Sequence, residues 1–132
     1  MNRSITVIEL RQNRERWAGR NIPNYRYALQ IICFCPPEFR QAVVIEVRDN
    51  TMVSITSALD STPVDSQGFE HTDTIDKLFG IIQEALDNEA YSIEAKYDPD
   101  FGYPRRIFID YEERTADEEM GYEIINFEVI EE

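Results

Sequence analysis

The clearest pattern of apolar and polar positions lies in the middle of the chain. Between residues 72 and 89, apolar side chains recur every three or four residues, the spacing of one face of an α-helix. This stripe consists of Ile75, Leu78, Phe79, Ile82 and Leu86. Thr72 or Asp73 can cap the first turn. The pattern therefore predicts a helix over 73–88 with one buried face.

A second, weaker helical pattern occupies the start of the chain. One side of this helix carries Val7, Leu10, Arg14 and Trp17. Ser4 can cap the helix, which is predicted to run to about Ala18. It ends before the sequence NIPN, because Pro23 disfavours helical backbone in the residue before it. Since the stripe is weak, we expect the helix to lie against the sheet through Leu10 and Trp17.

The remaining apolar residues alternate with polar ones, as in β-strands. Segment 25–34 places five residues on one face: Tyr25, Tyr27, Leu29, Ile31 and Cys33. Segment 41–58 predicts a hairpin whose two-residue turn is Asp49-Asn50, because both residue types tolerate positive φ. Three further strands are predicted at 91–97, 104–111 and 122–130.

Most strands follow one another through short connections, so the sequence predicts an α+β fold. We expect a mostly antiparallel sheet of about five to six strands, with the 73–88 helix packed on a face and the N-terminal helix flanking it. At 132 residues the chain is predicted to form a single domain, with the helix at 1–20 and the sheet-plus-helix core at 25–132.

Charge narrows the choice of partners. Thirteen basic and 26 acidic residues give a net charge of −13, which would repel nucleic acid and anionic membranes. Residues 1–26 hold six arginines against Glu9 and Glu15, whereas residues 110–132 hold ten acids against Arg114. Either the two regions attract each other, or one of them is a docking face for an oppositely charged partner. The expected partner is an unknown protein or small ligand, and the expected state is a monomer or weak dimer.

The first residues contain no apolar segment followed by small residues, as a signal peptide would. No later segment approaches the roughly 20 apolar residues that span a bilayer. The sequence therefore predicts a cytoplasmic protein, in which cysteines stay reduced by default.

The segment IICFCPPEFR raises the sharpest chemical question. Residues i and i+2 of a strand share a face, so Cys33 and Cys35 would project together from Cα atoms about 6.6 Å apart. Three interpretations remain open: thiols that only pack, a disulfide or redox pair, and a metal site shared across a dimer. A zinc site within one chain is not complete, because His71 is the one further soft ligand.

A carboxylate-rich region near the predicted fifth strand is a candidate cation site. Asp98, Asp100 and Asp110 could offer the oxygen ligands that calcium prefers, together with acids of the 112–119 loop. The spacing is not that of an EF-hand. The alternative is turn chemistry, since Asp98-Pro99 and Gly102 are typical of a turn.

No recognisable catalytic arrangement occurs in the sequence. There is a single histidine, and the serine-elbow, phosphate-loop and H-E-x-x-H motifs are absent. We therefore predict a non-enzymatic binding or interaction module without a cofactor. The candidate interaction surface comprises Arg11, Arg14, Trp17 and Tyr103.

Three segments together resemble a bacterial family known only as a domain of unknown function. They are NYRYALQIICFCPPEFR with the following VVIEVRDNTMVS, then DTIDKLFGIIQEAL, then YDPDFGYPRRIFIDYEERTADEEMGYEI. The marks of the resemblance, which spans roughly residues 24–127, are a C-F-C-P-P-E motif and a Y-D-P-x-x-G-Y-P-x-x-I-x-I-D motif. It implies no reaction, cofactor or partner. It does imply export for many relatives, and in an oxidising compartment Cys33 and Cys35 would more readily be bonded.

Overall fold

A computed structural model describes residues 2–37, 40–112 and 119–131 of the chain. Two helices and six strands lie within these ranges. In chain order they are α1 (Arg3–Arg20), β1 (Tyr25–Ile32), β2 (Val43–Arg48), β3 (Thr51–Ser57), α2 (Ile75–Asp87), β4 (Ser92–Tyr97), β5 (Pro104–Asp110) and β6 (Glu119–Val129).

The six strands form one sheet in the order β3-β2-β1-β6-β5-β4, and every neighbouring pair is antiparallel. Two three-stranded meanders are thus joined at the centre by the first and last strands. Helix α2 contacts β4 and β5, and α1 contacts α2 and β4. The predicted α+β class and the antiparallel sheet are confirmed.

The predicted hairpin has the expected turn. Asp49 and Asn50 both adopt positive φ, at 53° and 62°. This backbone is the one that a tight two-residue turn requires between twisted strands. The turn is also fixed from outside, because Asn24 Oδ1 accepts a hydrogen bond from the Asp49 amide at 2.8 Å. Its position therefore follows from both local and tertiary contacts.

Strand β6 contains a bulge that the alternating pattern does not predict. Its register against β1 shifts between Arg26 and Ala28, opposite Asn126, which adopts a φ of 53°. The extra residue lets both Ile124 and Phe127 pack against the core, although they are three positions apart.

The N-terminal helix begins earlier and ends later than predicted. Asn2, rather than Ser4, is its cap, and the Asn2 side chain accepts hydrogen bonds from the amides of Ser4 and Ile5. The helix continues to Arg20 and ends at Asn21, which adopts the left-handed conformation. Its buried residues are Leu10 and Trp17, as predicted.

Helix α2 fulfils the predicted burial, while its cap is displaced. All five residues of the predicted stripe are buried. Thr74 caps the helix instead of Thr72 or Asp73, and its hydroxyl oxygen accepts a hydrogen bond from the Lys77 amide at 3.2 Å. Thr72 is used differently: its hydroxyl donates to the Phe69 carbonyl.

The loop between β4 and β5 meets helix α1 at Gly102. This residue has a φ of +87°, and a Cβ there would lie 2.4 Å from the Asn13 carbonyl oxygen and 3.1 Å from the Trp17 amide nitrogen. Only a glycine allows so close an approach of two backbones. The loop therefore fixes the position of α1 beside the strands.

Candidate functional site

A groove of about 450 Å³ separates helices α1 and α2. Such a volume lies in the range of ligand pockets, about 300–1,000 Å³. The residues that line it are Val7, Leu10, Arg11, Arg14, Glu15 and Ala18 of α1, with Gln83 and Leu86 of α2. Between Val7 and Ala18 the groove follows α1 for about 16 Å, at about 1.5 Å per residue. Its lining combines four apolar residues with the charged Arg11, Arg14 and Glu15.

The arginines of α1 divide into two groups by what they contact. Arg3 donates a hydrogen bond to the Leu86 carbonyl, and Arg20 donates two to the Asp100 carbonyl, at 3.0 and 2.8 Å. These two residues tether the ends of the helix. Arg11 and Arg14 are exposed beside the groove and form no ion pair with any residue that the structure describes.

The predicted attraction between the basic start and the acidic end of the chain can be compared with the ion pairs that the arginines form. Arg26 does pair with Glu128 of β6, at 2.5 Å, and with Glu46 of β2, at 3.1 Å. No arginine of α1 forms such a pair within the described ranges. Positions 113–118, which belong to the acidic end of the chain, lie outside the described residues. Arg11 and Arg14 therefore outnumber the one acid, Glu15, that lines the groove, and neither forms an ion pair with a described acid.

Two residues of the predicted interaction surface are instead part of the core. Trp17 is 5% exposed and Tyr103 is 8% exposed. Both rings contact Phe127, at centroid distances of 5.7 Å for Trp17 and 4.5 Å for Tyr103. The loop that carries Gly102 covers this cluster. Burial and the nearby Asp98 carboxylate raise the pKa of Tyr103 to about 12. Of the four residues of the candidate interaction surface, Arg11 and Arg14 are exposed, whereas Trp17 and Tyr103 are buried.

Two buried phenols connect β1 to the start of α2. The Tyr25 hydroxyl oxygen accepts a hydrogen bond from the Ile75 amide at 2.8 Å, and the Tyr27 hydroxyl donates to the Thr72 carbonyl at 2.5 Å. Burial raises the pKa of both tyrosines. They therefore stay neutral and serve to position α2.

The structure records a disulfide between Cys33 and Cys35, whose Cα atoms are 5.3 Å apart. This separation is shorter than the extended strand predicts, because β1 ends at Ile32 and the chain bends before the pair. In this structure the two sulfurs are bonded to each other, so neither is a free thiol.

The disulfide lies in a shallow surface depression. Its lining consists of Cys33, Phe34, Cys35, Pro36 and Arg40. Both cysteines are half-buried, and the Phe34 ring between them is 75% exposed. Sequence reasoning missed Arg40 as a neighbour of the sulfurs. The Arg40 amide donates a hydrogen bond to the Pro37 carbonyl at 3.0 Å, which holds Arg40 near the pair.

The three predicted cation ligands do not meet. Asp98 precedes β5 and Asp110 ends it, so roughly 20 Å of strand separates them. Asp98 Oδ1 accepts hydrogen bonds from the amides of Asp100 and Phe101, which is turn chemistry. Among the described residues no group of three or more histidine, cysteine or acidic side chains is arranged to hold a metal. His71 is exposed.

The comparison with protein families is decisive for membership. Residues 9–129 match the model of a family of unknown function, DUF6174. The chain belongs to this family. The predicted resemblance to an uncharacterised domain is confirmed. No curated protein matches this DUF6174 chain, and no solved structure does.

Two further observations concern the helices. No helix in the described part of this DUF6174 chain is long and apolar enough to cross a membrane. The sequence analysis named Arg11 and Arg14 but missed the apolar groove between them and α2. Spacing offered a signal, because positions 7, 11, 14 and 18 fall on one side of a helix.

Proposed function

We propose that the protein is a non-enzymatic binding module whose groove between α1 and α2 holds an acidic segment of a partner protein, anchored by an apolar side chain. The observation that carries this proposal is the pair Arg11 and Arg14. Both are exposed on one flank of an apolar groove, and neither is paired with a described acid. Carboxylates of a partner are the groups that such a flank attracts.

The floor of the groove supplies the apolar half of the recognition. Val7 is 45% exposed, while Leu10 and Leu86 present the edges of largely buried side chains. Burying one leucine or phenylalanine of a partner contributes about 1.5–3 kcal/mol. Because Arg11 and Arg14 line the same groove as these apolar residues, one apolar residue flanked by acids would satisfy both features.

The overall charge favours selectivity for this site. At a net charge of −13, the rest of the protein repels an acidic segment. Helix α1 is a local exception, since it carries five of the 13 basic residues. An acidic partner would therefore be repelled elsewhere and attracted here.

The shape of the groove favours a peptide over a compact ligand. About 16 Å of helix borders it, which corresponds to about five residues of extended chain. The proposal also includes the finer architecture, in which α2 covers one face of the sheet and α1 flanks it. Three contacts support this arrangement: the Tyr25 bond to Ile75, the stacking of Phe79 on Tyr97, and the contact of Trp17 with Tyr25.

Fluorescein-labelled peptides test the proposal directly. We would measure fluorescence polarisation with peptides that place leucine or phenylalanine between aspartates and glutamates. Matched peptides would carry asparagine and glutamine in place of the acids. We expect the acidic peptides to bind more tightly, and the difference to shrink with added salt. Equal binding of both peptide sets would contradict the proposal.

Charge reversal on α1 locates the binding. The double variant Arg11→Glu/Arg14→Glu should weaken the acidic peptides by about tenfold or more, equivalent to about 1.4 kcal/mol. Its thermal midpoint should stay close to that of the parent, because both side chains are exposed. Arg16→Glu is the matched control: it lies on the same helix, outside the groove, and its side chain contacts Asn13. A comparable loss in that control would indicate general electrostatics rather than this groove.

A further inference from the structure

We propose that the Cys33–Cys35 disulfide is a site of thiol–disulfide exchange, which accepts two electrons from a dithiol. Neither cysteine lines the groove between the helices, so this reaction is separate from the proposed binding function. Four observations carry the proposal: the size of the closed loop, the exposure of the bond, the different surroundings of the two sulfurs, and the neighbouring Arg40.

The closed loop is too small for a structural cross-link of much value. A disulfide stabilises a fold mainly by restricting the unfolded chain, and the effect grows with the number of residues in the loop. Cys33 and Cys35 are separated by Phe34 alone. The unfolded chain keeps these residues close in any case. The bond therefore contributes little to the free energy of unfolding, and a role other than stabilisation has to account for it.

The bond is accessible and lies on a rigid support. It directly follows β1, whose last residues, Gln30 to Ile32, pair with β6, while Tyr25 to Leu29 also pair with β2. Both cysteines are half-buried, and Phe34 offers a ring that is 75% exposed beside them. Exposed disulfides are the ones that exchange with external thiols, whereas buried structural ones resist reduction. Phe34 can contact an apolar residue next to the attacking thiol.

The two sulfurs differ in their surroundings. Cys33 packs against the hydrophobic core, whereas Cys35 is followed by the exposed Pro36 and Pro37. Arg40 lines the same depression. A nearby guanidinium favours the thiolate form of a cysteine and makes it a better leaving group. Because Cys33 packs against the core, we assign Cys35 as the sulfur that is attacked and Cys33 as the first sulfur that leaves. Arg40 then favours the departure of Cys35 as a thiolate in the second step.

The exchange proceeds in two balanced steps. A thiolate of the dithiol forms a bond to Cys35 Sγ, the bond between Cys35 Sγ and Cys33 Sγ breaks, and its electron pair leaves on Cys33, which takes up a proton. The second thiolate of the dithiol then attacks the first sulfur of the same dithiol, which is bonded to Cys35 Sγ in the mixed disulfide. Cys35 leaves as a thiolate and takes up a proton. The dithiol has lost two electrons and two protons, and the cysteine pair has gained them.

Redox titration of the folded, full-length chain tests the proposal. The protein would be equilibrated with mixtures of reduced and oxidised glutathione, alkylated, and weighed by mass spectrometry. We expect the cysteine pair to become reduced at a reduction potential that these mixtures cover. Circular dichroism should show that the reduced protein stays folded, with a nearly unchanged thermal midpoint. A bond that stays oxidised in excess reduced glutathione, and yields only after unfolding, would overturn the proposal.

Single-cysteine variants test the assignment of the sulfurs. The Cys35 thiol of C33S should react with an aromatic disulfide reagent faster than the Cys33 thiol of C35S. Adding R40Q to C33S should slow Cys35 by up to about tenfold, the factor that one pKa unit makes in thiolate fraction. The exposed Arg105 gives the matched control, R105Q, which should leave the rate unchanged. Equal rates in C33S and C35S, or equal rates with R40Q and R105Q, would overturn the assignment.

Discussion

The two helices of this protein are held in opposite ways. Helix α2 buries seven of its 13 residues, whereas α1 buries two of its 18. Phe79, Leu78 and Ile82 of α2 are fully enclosed. On α1, the apolar residues Ile5, Val7 and Ile8 remain about half exposed. Helix α2 is thus a part of the core, while α1 lies at its margin.

Other contacts replace a buried face in α1. Arg3 and Arg20 bind backbone carbonyls at the two ends of the helix, and Arg20 also lies over the Phe101 ring at 5.0 Å. Trp17 enters the aromatic cluster, and Gly102 brings a loop against the helix backbone. Because these contacts lie at the ends and on one side, Arg11 and Arg14 are available for a partner. A helix that is tethered in this way can carry a recognition surface without disturbing the core.

The largest expected difference between the helices comes from truncating one apolar residue in each. Phe79→Ala should lower the free energy of unfolding by about 3–5 kcal/mol, because it leaves a cavity where the ring stacks on Tyr97. Ile5→Ala, at a position 53% exposed, should change it by less than about 0.5 kcal/mol. Urea unfolding followed by circular dichroism measures both. A cost for Ile5→Ala close to that of Phe79→Ala would mean that α1 is buried against something else in solution.

A smaller effect is expected where the loop meets α1. Gly102→Ala should cost about 1–3 kcal/mol from its positive φ alone, with more from the contact with the Asn13 carbonyl. Because the loop also touches the Trp17 amide, the emission of this single tryptophan should shift to longer wavelength. Gly19→Ala is the matched control. It has open space around it within the helix and should stabilise by about 0.8–1 kcal/mol. Changes of the same sign in both variants would contradict the role assigned to the loop.

The sequence predicts best those elements in which the backbone conformation that the residues favour agrees with the burial of their side chains. The stripe from Ile75 to Leu86 has helical spacing, and the core encloses it. Asp49 and Asn50 tolerate the backbone that their turn needs. The bulge in β6 had no such signal, because strict alternation places Ile124 and Phe127 on opposite faces. The shift at Asn126 comes from pairing with β1, which is a tertiary contact.

The site was harder to predict, because each property depends on distant parts of the chain. Trp17 and Tyr103 are 86 positions apart, and their burial follows from the loop at Gly102 crossing α1. The state of Cys33 and Cys35 was open for another reason. Their spacing is compatible with free thiols and with a bond, and only the bend after Ile32 brings the sulfurs together. Local sequence offered the candidates, and the three-dimensional fold selected among them.

The smallest expected difference concerns the caps of the two helices. Thr74→Ala should cost about 1 kcal/mol in global stability, because the Lys77 amide loses its acceptor at the start of a core helix. Asn2→Ala removes the acceptor of the Ser4 and Ile5 amides, yet we expect less than about 0.5 kcal/mol. The first turn of α1 can open without the rest of the fold, so its loss is local. Hydrogen exchange separates the two cases: Asn2→Ala should accelerate exchange at Ser4 and Ile5 alone, whereas Thr74→Ala should also accelerate it in the sheet. A loss of protection throughout the sheet in Asn2→Ala would place α1 in the same cooperative unit as α2 and remove the contrast between the helices.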